Sequence, residues 1–215
     1  MFKFRQDFIR FAVQQKALSF GEFKTKAGRI SPYFFNAGLF CDGASLRNLS
    51  QFYAQAILTS EVQFDMLYGP AYKGISLAAG TAIALAEQGH NVPYCYNRKE
   101  AKDHGEGGTT VGAKLQGQVL IIDDVISAGT SVRESVELIR SAGAQPCGVV
   151  IALDRMERGQ SEMSAVQEVA RNYAIPVISI ATLNDLLGYL QEGAEMVQYL
   201  NITQAYRDKY GVEND

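Results

Sequence analysis

At 215 residues the chain is long enough for one sizeable core and too short for several. Hydrophobic residues at 47% and charged residues at 20% fit a soluble globular domain, while a formal net charge of -3 argues against a nucleic-acid partner, which demands a basic footprint. No apolar stretch reaches bilayer length, which argues against a membrane partner; Cys41, Cys95 and Cys147 are odd in number and scattered, and His90 and His104 are the only histidines, which argues against a disulfide framework or structural zinc and points to the cytoplasm.

The opening MFKFRQDFIRFAVQQKA is somewhat basic, but Asp7 and the helical spacing of Phe4, Phe8, Phe11 and Ala12 predict a first helix rather than a targeting peptide. LSFGEFKTKAGRISPYFFN reads as a hairpin, and ASLRNLSQFYAQAIL as a second helix. From about residue 60 onward short apolar runs alternate with helical patterns. FDMLYG precedes ISLAAGTAIALAEQG; VPYCYN precedes a polar loop; QVLIID precedes SVRESVELIRSAG; CGVVIALD precedes SAVQEVARNY; and PVISI precedes TLNDLLGYLQ. Such alternation predicts an α/β fold, a mainly parallel sheet flanked by helices, with Gly89 and Gly143 at helix C-termini. The expected organisation is a single domain over 1–215, in which about 1–60 forms a small N-terminal hood with the base site and about 61–180 the parallel-sheet core. Ligands of such sheets bind beyond the carboxyl ends of the strands, so the residues that follow each apolar run are the candidates.

VLIIDDVISAGTS, residues 119–131, ends a strand on Asp123 and Asp124 and enters a helix through small residues. Free N–H groups at the helix start, Gly129 and the hydroxyls of Ser127, Thr130 and Ser131 form a turn suited to a phosphate. The stretch has no Lys and is not GxGxxG, so neither the nucleotide-triphosphate loop nor the dinucleotide turn fits. Two acids beside a phosphate cradle suit a ribose 5-phosphate: vicinal hydroxyls for the carboxylates, phosphate for residues 127–131. A helix-capping role accounts for one of the two acids.

On these residues the chain resembles the type I phosphoribosyltransferases, in which this motif binds 5-phosphoribosyl 1-pyrophosphate (PRPP). GEFKTKAGRISPYFFN at 21–36, GPAYKG at 69–74, NRKEAKDHGEGG at 97–108 and LDRMERG at 153–159 extend the resemblance to the orotate phosphoribosyltransferase family, in its short bacterial form, over essentially the whole chain. Ser127 stands where that family usually has Thr, and Met156 where a polar residue is common.

The resemblance implies transfer of the phosphoribosyl group from PRPP to orotate, giving orotidine 5′-monophosphate and pyrophosphate in pyrimidine synthesis. It implies a PRPP site built from Lys26, Tyr72, Lys73, Arg98, Lys99, Lys102, His104, Asp123, Asp124, Val125, Ile126, Ser127, Ala128, Gly129, Thr130 and Ser131. Lys26, Phe34, Phe35, Ser127 and Arg155 would hold orotate, Arg155 facing its carboxylate. Lys102, Asp124, Lys73 and His104 are the implied catalytic groups. Mg²⁺ is the implied cofactor, held mainly by substrate oxygens and water rather than by protein ligands. Arg98 and Lys99 are consecutive on a strand end and should point to opposite faces. The family answers this with a homodimer in which the loop at 98–110 is shared across the interface. A transferase for another base and a non-catalytic PRPP sensor are the competing readings. The KTKAGRISPYFFN stretch and Arg155 favour orotate over the first. The acidic balance, the intact RKEAKDHGEGG and the want of an evident extra domain favour an enzyme over the second.

Overall fold

The computed structural model describes residues 3–25, 27–102, 108–159, 161–193 and 196–212, with backbone alone at 101, 102 and 108. The main sheet is built from β3 (Met66–Gly69), β4 (Tyr94–Lys102), β5 (Gly108–Gly112), β6 (Gln118–Ile122), β7 (Gln145–Asp154) and β8 (Val177–Thr182). Their spatial order is β5-β4-β3-β6-β7-β8, all parallel except β5, which runs antiparallel to β4 at the edge.

Alternation along the central strands assigns side chains to two cores. Leu67, Leu120, Ile122, Val150 and Ala152 face a layer made by α1 (Lys3–Gln14), α2 (Gly43–Thr59), α3 (Lys73–Glu87) and α6 (Leu183–Gln191). Met66, Tyr68, Val119, Ile121, Val149 and Ile151 face α4 (Thr130–Ser141) and α5 (Ala165–Tyr173). Helix α4 shows why this works: Val132, Ser135, Val136 and Ile139 are its buried residues, a three-to-four-residue stripe that faces the sheet. Gly89 and Gly143 follow the helices they were expected to end, both with positive φ. Among the described residues no helix is long and apolar enough to cross a membrane.

The predicted hairpin forms a separate two-stranded sheet, β1 (Leu18–Lys24) with β2 (Ile30–Phe35). Only this hairpin stands apart as a sheet of the region expected to form the hood; α1 and α2 pack on the main sheet. The C-terminal helix α7 (Val197–Tyr210) packs against the hairpin, with Tyr199 stacked on Phe20 at 4.9 Å and Tyr206 edge-on to Tyr33 at 6.5 Å.

One expectation is corrected. The segment after VPYCYN is not a plain polar loop: β4 continues to Lys102 and pairs with β5 through Asn97↔Thr110 and Lys102↔Gly108. An edge hairpin satisfies its backbone by pairing whatever its side chains are, so polar residues do not forbid strands there.

Strand β3 leads through α3 to β4 on one side, whereas β6 leads through α4 to β7 on the other. The chain therefore switches direction between β3 and β6, the place where a crevice opens beyond the strand ends of such a sheet.

Candidate active site at the switch point

The two stretches that end β3 and β6 meet in this crevice. In GPAYKG the glycines serve close approach: a Cβ on Gly69 would lie 2.0 Å from the Gly74 carbonyl oxygen, and one on Gly74 would lie 2.9 Å from that of Ile122. The bare backbones bring the N-terminus of α3 against β3 and β6, and Lys73 is its first residue. The Ala71 N–H donates to Asn97 Oδ1 at 2.6 Å, so β4 braces this turn. Tyr72 is 73% exposed beside it, open to a ligand.

Lys73 Nζ reaches Asp124 Oδ2 at 2.5 Å, with the lysine half exposed and the carboxylate nearly buried. Its neighbour Asp123 is turned differently. Asp123 Oδ2 accepts from the Ser131 hydroxyl at 2.9 Å, and Oδ1 accepts from the Asp124 N–H at 2.9 Å. The Tyr53 hydroxyl of α2 donates to the Asp123 carbonyl at 2.7 Å. Burial, then the adjacent Asp124 charge, push the Asp123 carboxyl up to about 6, against the pull of these two donors.

Beyond the acids, the half-buried side chains of Val125 and Ile126 pack against opposite cores. Ser127, Ala128 and Thr130 are exposed, and Gly129 has φ 68, the left-handed conformation that glycine adopts without penalty. Helix α4 starts there with no side-chain cap, its N–H groups turned to the crevice mouth where an anion is favoured.

Arg155 follows β7, the next strand along, as its apolar run predicted. It is tied to the hairpin: Nη2 donates to Ser31 Oγ at 3.0 Å, and the guanidinium lies 4.4 Å from the Tyr33 ring centre. Nε and Nη2 also donate to Glu157 Oε1 at 2.9 and 2.5 Å, so Arg155 forms an ion pair with a neighbouring acid. Phe34 and Phe35 do not present their rings to one side. Successive residues on β2 face opposite ways: Phe34 is 48% exposed and stacks on Phe23, whereas Phe35 is buried against Phe8 and Phe40. Of the two rings only that of Phe34 is open to solvent.

Arg98 is half-buried, its Nη1 enclosed without a partner among the described residues, and Lys99 is exposed. Lys26 and His104, and the side chain of Lys102, lie outside the described residues. Sequence reasoning passed over Asn97, Tyr53, Ser31 and Tyr33. Asn97 lies inside NRKEAKDHGEGG and Ser31 and Tyr33 inside GEFKTKAGRISPYFFN, so motif membership was the signal that could have found them.

Fold and crevice together define a type I phosphoribosyltransferase. The family profile described as phosphoribosyl transferase domain matches residues 42–176. An orotate phosphoribosyltransferase of Chromobacterium violaceum is 70% identical over 214 residues, covering 100% of both chains. One from Neisseria meningitidis serogroup C is 66% identical over 213 residues, covering 99% of this chain and 100% of its own. The crystal structure of the Francisella tularensis orotate phosphoribosyltransferase superposes with a TM-score of 0.86 at 41% identity, over 96% of this chain and 100% of that one. The chain belongs to the orotate phosphoribosyltransferase family.

Proposed function

We propose that the crevice transfers the phosphoribosyl group of PRPP to orotate, releasing pyrophosphate and forming orotidine 5′-monophosphate. The observation that carries this reading is the junction of the Lys73–Asp124 pair with the open N-terminus of α4, beside a guanidinium at the end of β7. A ribose 5-phosphate spans the first two features: its phosphate takes the N–H groups and hydroxyls of residues 127–131, and its hydroxyls take the carboxylate edge at 123–124. Arg155 then faces the carboxylate of orotate, and Phe34 its ring.

In the reaction a bond forms between the orotate ring nitrogen and the anomeric carbon, and the bond from that carbon to pyrophosphate oxygen breaks. The electron pair leaves with pyrophosphate, and the ring N–H proton is released. No side chain needs to attack; the chain's task is to hold charge. Lys73, displaced from Asp124 by the donor, meets the growing negative charge, with Tyr72, Arg98 and Lys99; Lys26, Lys102 and His104, which lie outside the described residues, are proposed to join them. One such donor is worth roughly 3 kcal/mol, on the order of 100-fold in rate. Asp124 is the carboxylate assigned to the cationic ribosyl carbon, while Asp123, which accepts from Ser131 and the Asp124 N–H, steadies the turn and keeps lone pairs for a ribose hydroxyl.

The oxygen-rich crevice fits Mg²⁺ held through substrate. Both acids already have partners, and no group of three or more His, Cys, Asp or Glu is gathered for a metal among the described residues. Asp123 and Asp124 would hold the ion's water shell, and the bound ion would neutralise the diphosphate. The proposed form is a cytoplasmic homodimer in which the segment at 98–110 serves the neighbouring subunit's crevice; what supports it is that the consecutive cations Arg98 and Lys99 of β4 are differently placed, the first half-buried and the second exposed. The test is loss of orotate ultraviolet absorbance on adding PRPP with Mg²⁺. The absorbance is expected to fall, and pyrophosphate is expected to be released with orotate and not with purines or uracil; folded protein without either would overturn the reading.

A further inference from the structure

Glu157 lies two residues beyond Arg155 and takes no part in the chemistry above, yet it is the centre of a closed polar cluster. Its Oε1 accepts from Arg155 Nε and Nη2 and from the Tyr33 hydroxyl at 3.3 Å, and its Oε2 accepts from the Tyr206 hydroxyl at 3.1 Å. Both ions are well covered, with 21% of the Arg155 side chain and 14% of Glu157 exposed. Tyr33 belongs to the hairpin and Tyr206 to the last helix, so three distant segments converge on one carboxylate.

We propose that Glu157, gripped by the hydroxyls of Tyr33 and Tyr206, positions Arg155 so that only its Nη1 edge is offered to the carboxylate of the acceptor. This makes the C-terminal helix part of the acceptor-specificity apparatus, and it rests on the reading of Arg155 as the acceptor's partner. Counting donors gives the geometry. Nε–H and both Nη2 hydrogens are engaged by Glu157 and Ser31, which leaves Nη1 as the edge that neither of them holds, and the Tyr206 hydroxyl lies against the same guanidinium. The Tyr33 ring at 4.4 Å fixes the plane of the guanidinium. A guanidinium locked in this way has already lost its rotamer freedom before the acceptor arrives, so less is lost on binding. A buried ion pair contributes little net stability by itself, which leaves orientation as its gain here. Burial and the Glu157 charge push the Tyr206 phenol up to about 12 and hold Tyr33 well above its ordinary range, so both donate at neutral pH.

The backbone keeps this clamp in register. Val212 N–H donates to the Met156 carbonyl at 2.8 Å, Arg158 N–H to the Tyr210 carbonyl at 2.9 Å, and Arg158 Nη2 to the Lys209 carbonyl at 2.5 Å. Arg29, beside the hairpin turn, donates to the Arg158 carbonyl at 2.8 Å and stacks on Tyr210. The end of α7 is thus stitched on both sides of the residue that sets Arg155.

Steady-state kinetics of the full chain with both substrates test the clamp. Tyr206→Phe removes one hydroxyl and Glu157→Gln one charge; each is expected to raise the orotate KM about three- to tenfold, with kcat and the PRPP KM within about twofold. Placed on an Arg155→Ala background, Tyr206→Phe is expected to add nothing further to the orotate KM, because it acts through the missing guanidinium. An unchanged orotate KM in Tyr206→Phe, equal rises in both KM values, or an effect that persists without Arg155 would overturn the clamp. Arg155→Ala alone tests the underlying assignment: an orotate KM left unmoved would instead overturn Arg155 as the acceptor's partner.

Discussion

Asp123 and Asp124 are neighbours with different employment, and their variants should separate. Asp123 is buried and its carboxyl is raised from 3.8 to about 6. A raised carboxyl means that the folded chain holds the proton more tightly than the unfolded one. Its neutral form therefore stabilises the fold at low pH, and that contribution is lost as pH rises from about 4 to about 6. Above that window the cost of the buried charge is complete. Asp123→Asn keeps an acceptor for the Asp124 N–H and a polar group toward Ser131. It is expected to raise the thermal midpoint at pH 7 by a few degrees, roughly 1 kcal/mol, and to give no gain below about pH 4. Calorimetry across pH reads both. Lys73→Gln acts on the other acid: kcat/KM for PRPP is expected to fall about 100-fold, as for loss of one transition-state donor. A change under threefold in kinetic assays would remove Lys73 from the chemistry.

At the scale of elements, the crevice depends on how closely α3 approaches the sheet. A Cβ on Gly74 would sit 2.6 Å from Pro70 Cδ, 2.8 Å from the Gly69 carbonyl carbon and 2.9 Å from the Ile122 oxygen. Two of these three are main-chain atoms and the third is a rigid ring, so the helix start must move rather than a side chain swing away. Gly74→Ala is therefore expected to cost about 1–3 kcal/mol in urea unfolding and to raise the PRPP KM by carrying Lys73 away from Asp124. Gly43→Ala is the control: it opens α2, has nothing within 4 Å of its new Cβ, and is expected to stabilise by about 0.5–1 kcal/mol. These elements were legible because their signals are local. Apolar runs ending in GPAYKG or DDVISAGTS announce a strand, a turn and a helix by composition alone. The Phe34–Phe35 alternation was readable too, since a strand must send successive side chains apart. The β4–β5 hairpin was not, because edge pairing is a backbone matter and leaves no apolar pattern. Nor was the Glu157 clamp, whose partners Tyr33 and Tyr206 lie 124 and 49 residues away.

For the molecule as a whole, the question is whose crevice the β4–β5 segment serves, and a mixture of two inactive chains answers it. One chain carries Asp124→Asn, with its own segment intact; the other carries Lys102→Ala, with its own carboxylate intact. Suppose each crevice uses the segment of its own subunit. Then every site in a hybrid holds one lesion, and mixing restores nothing. Suppose instead that the segment crosses a two-fold interface. One site of each hybrid then joins an intact Asp124 to the partner's intact lysine, and the other collects both lesions. Equal amounts of freely exchanging chains give about half hybrids with one working site of two, so activity is expected to return to roughly a quarter of the unmodified level. The recovery should track subunit exchange, appearing as labelled dimers mix in sedimentation or energy-transfer measurements. Exchange without recovery would confine the segment to its own crevice, and the half-buried Arg98 and exposed Lys99 of β4 would then need separate tasks within one subunit.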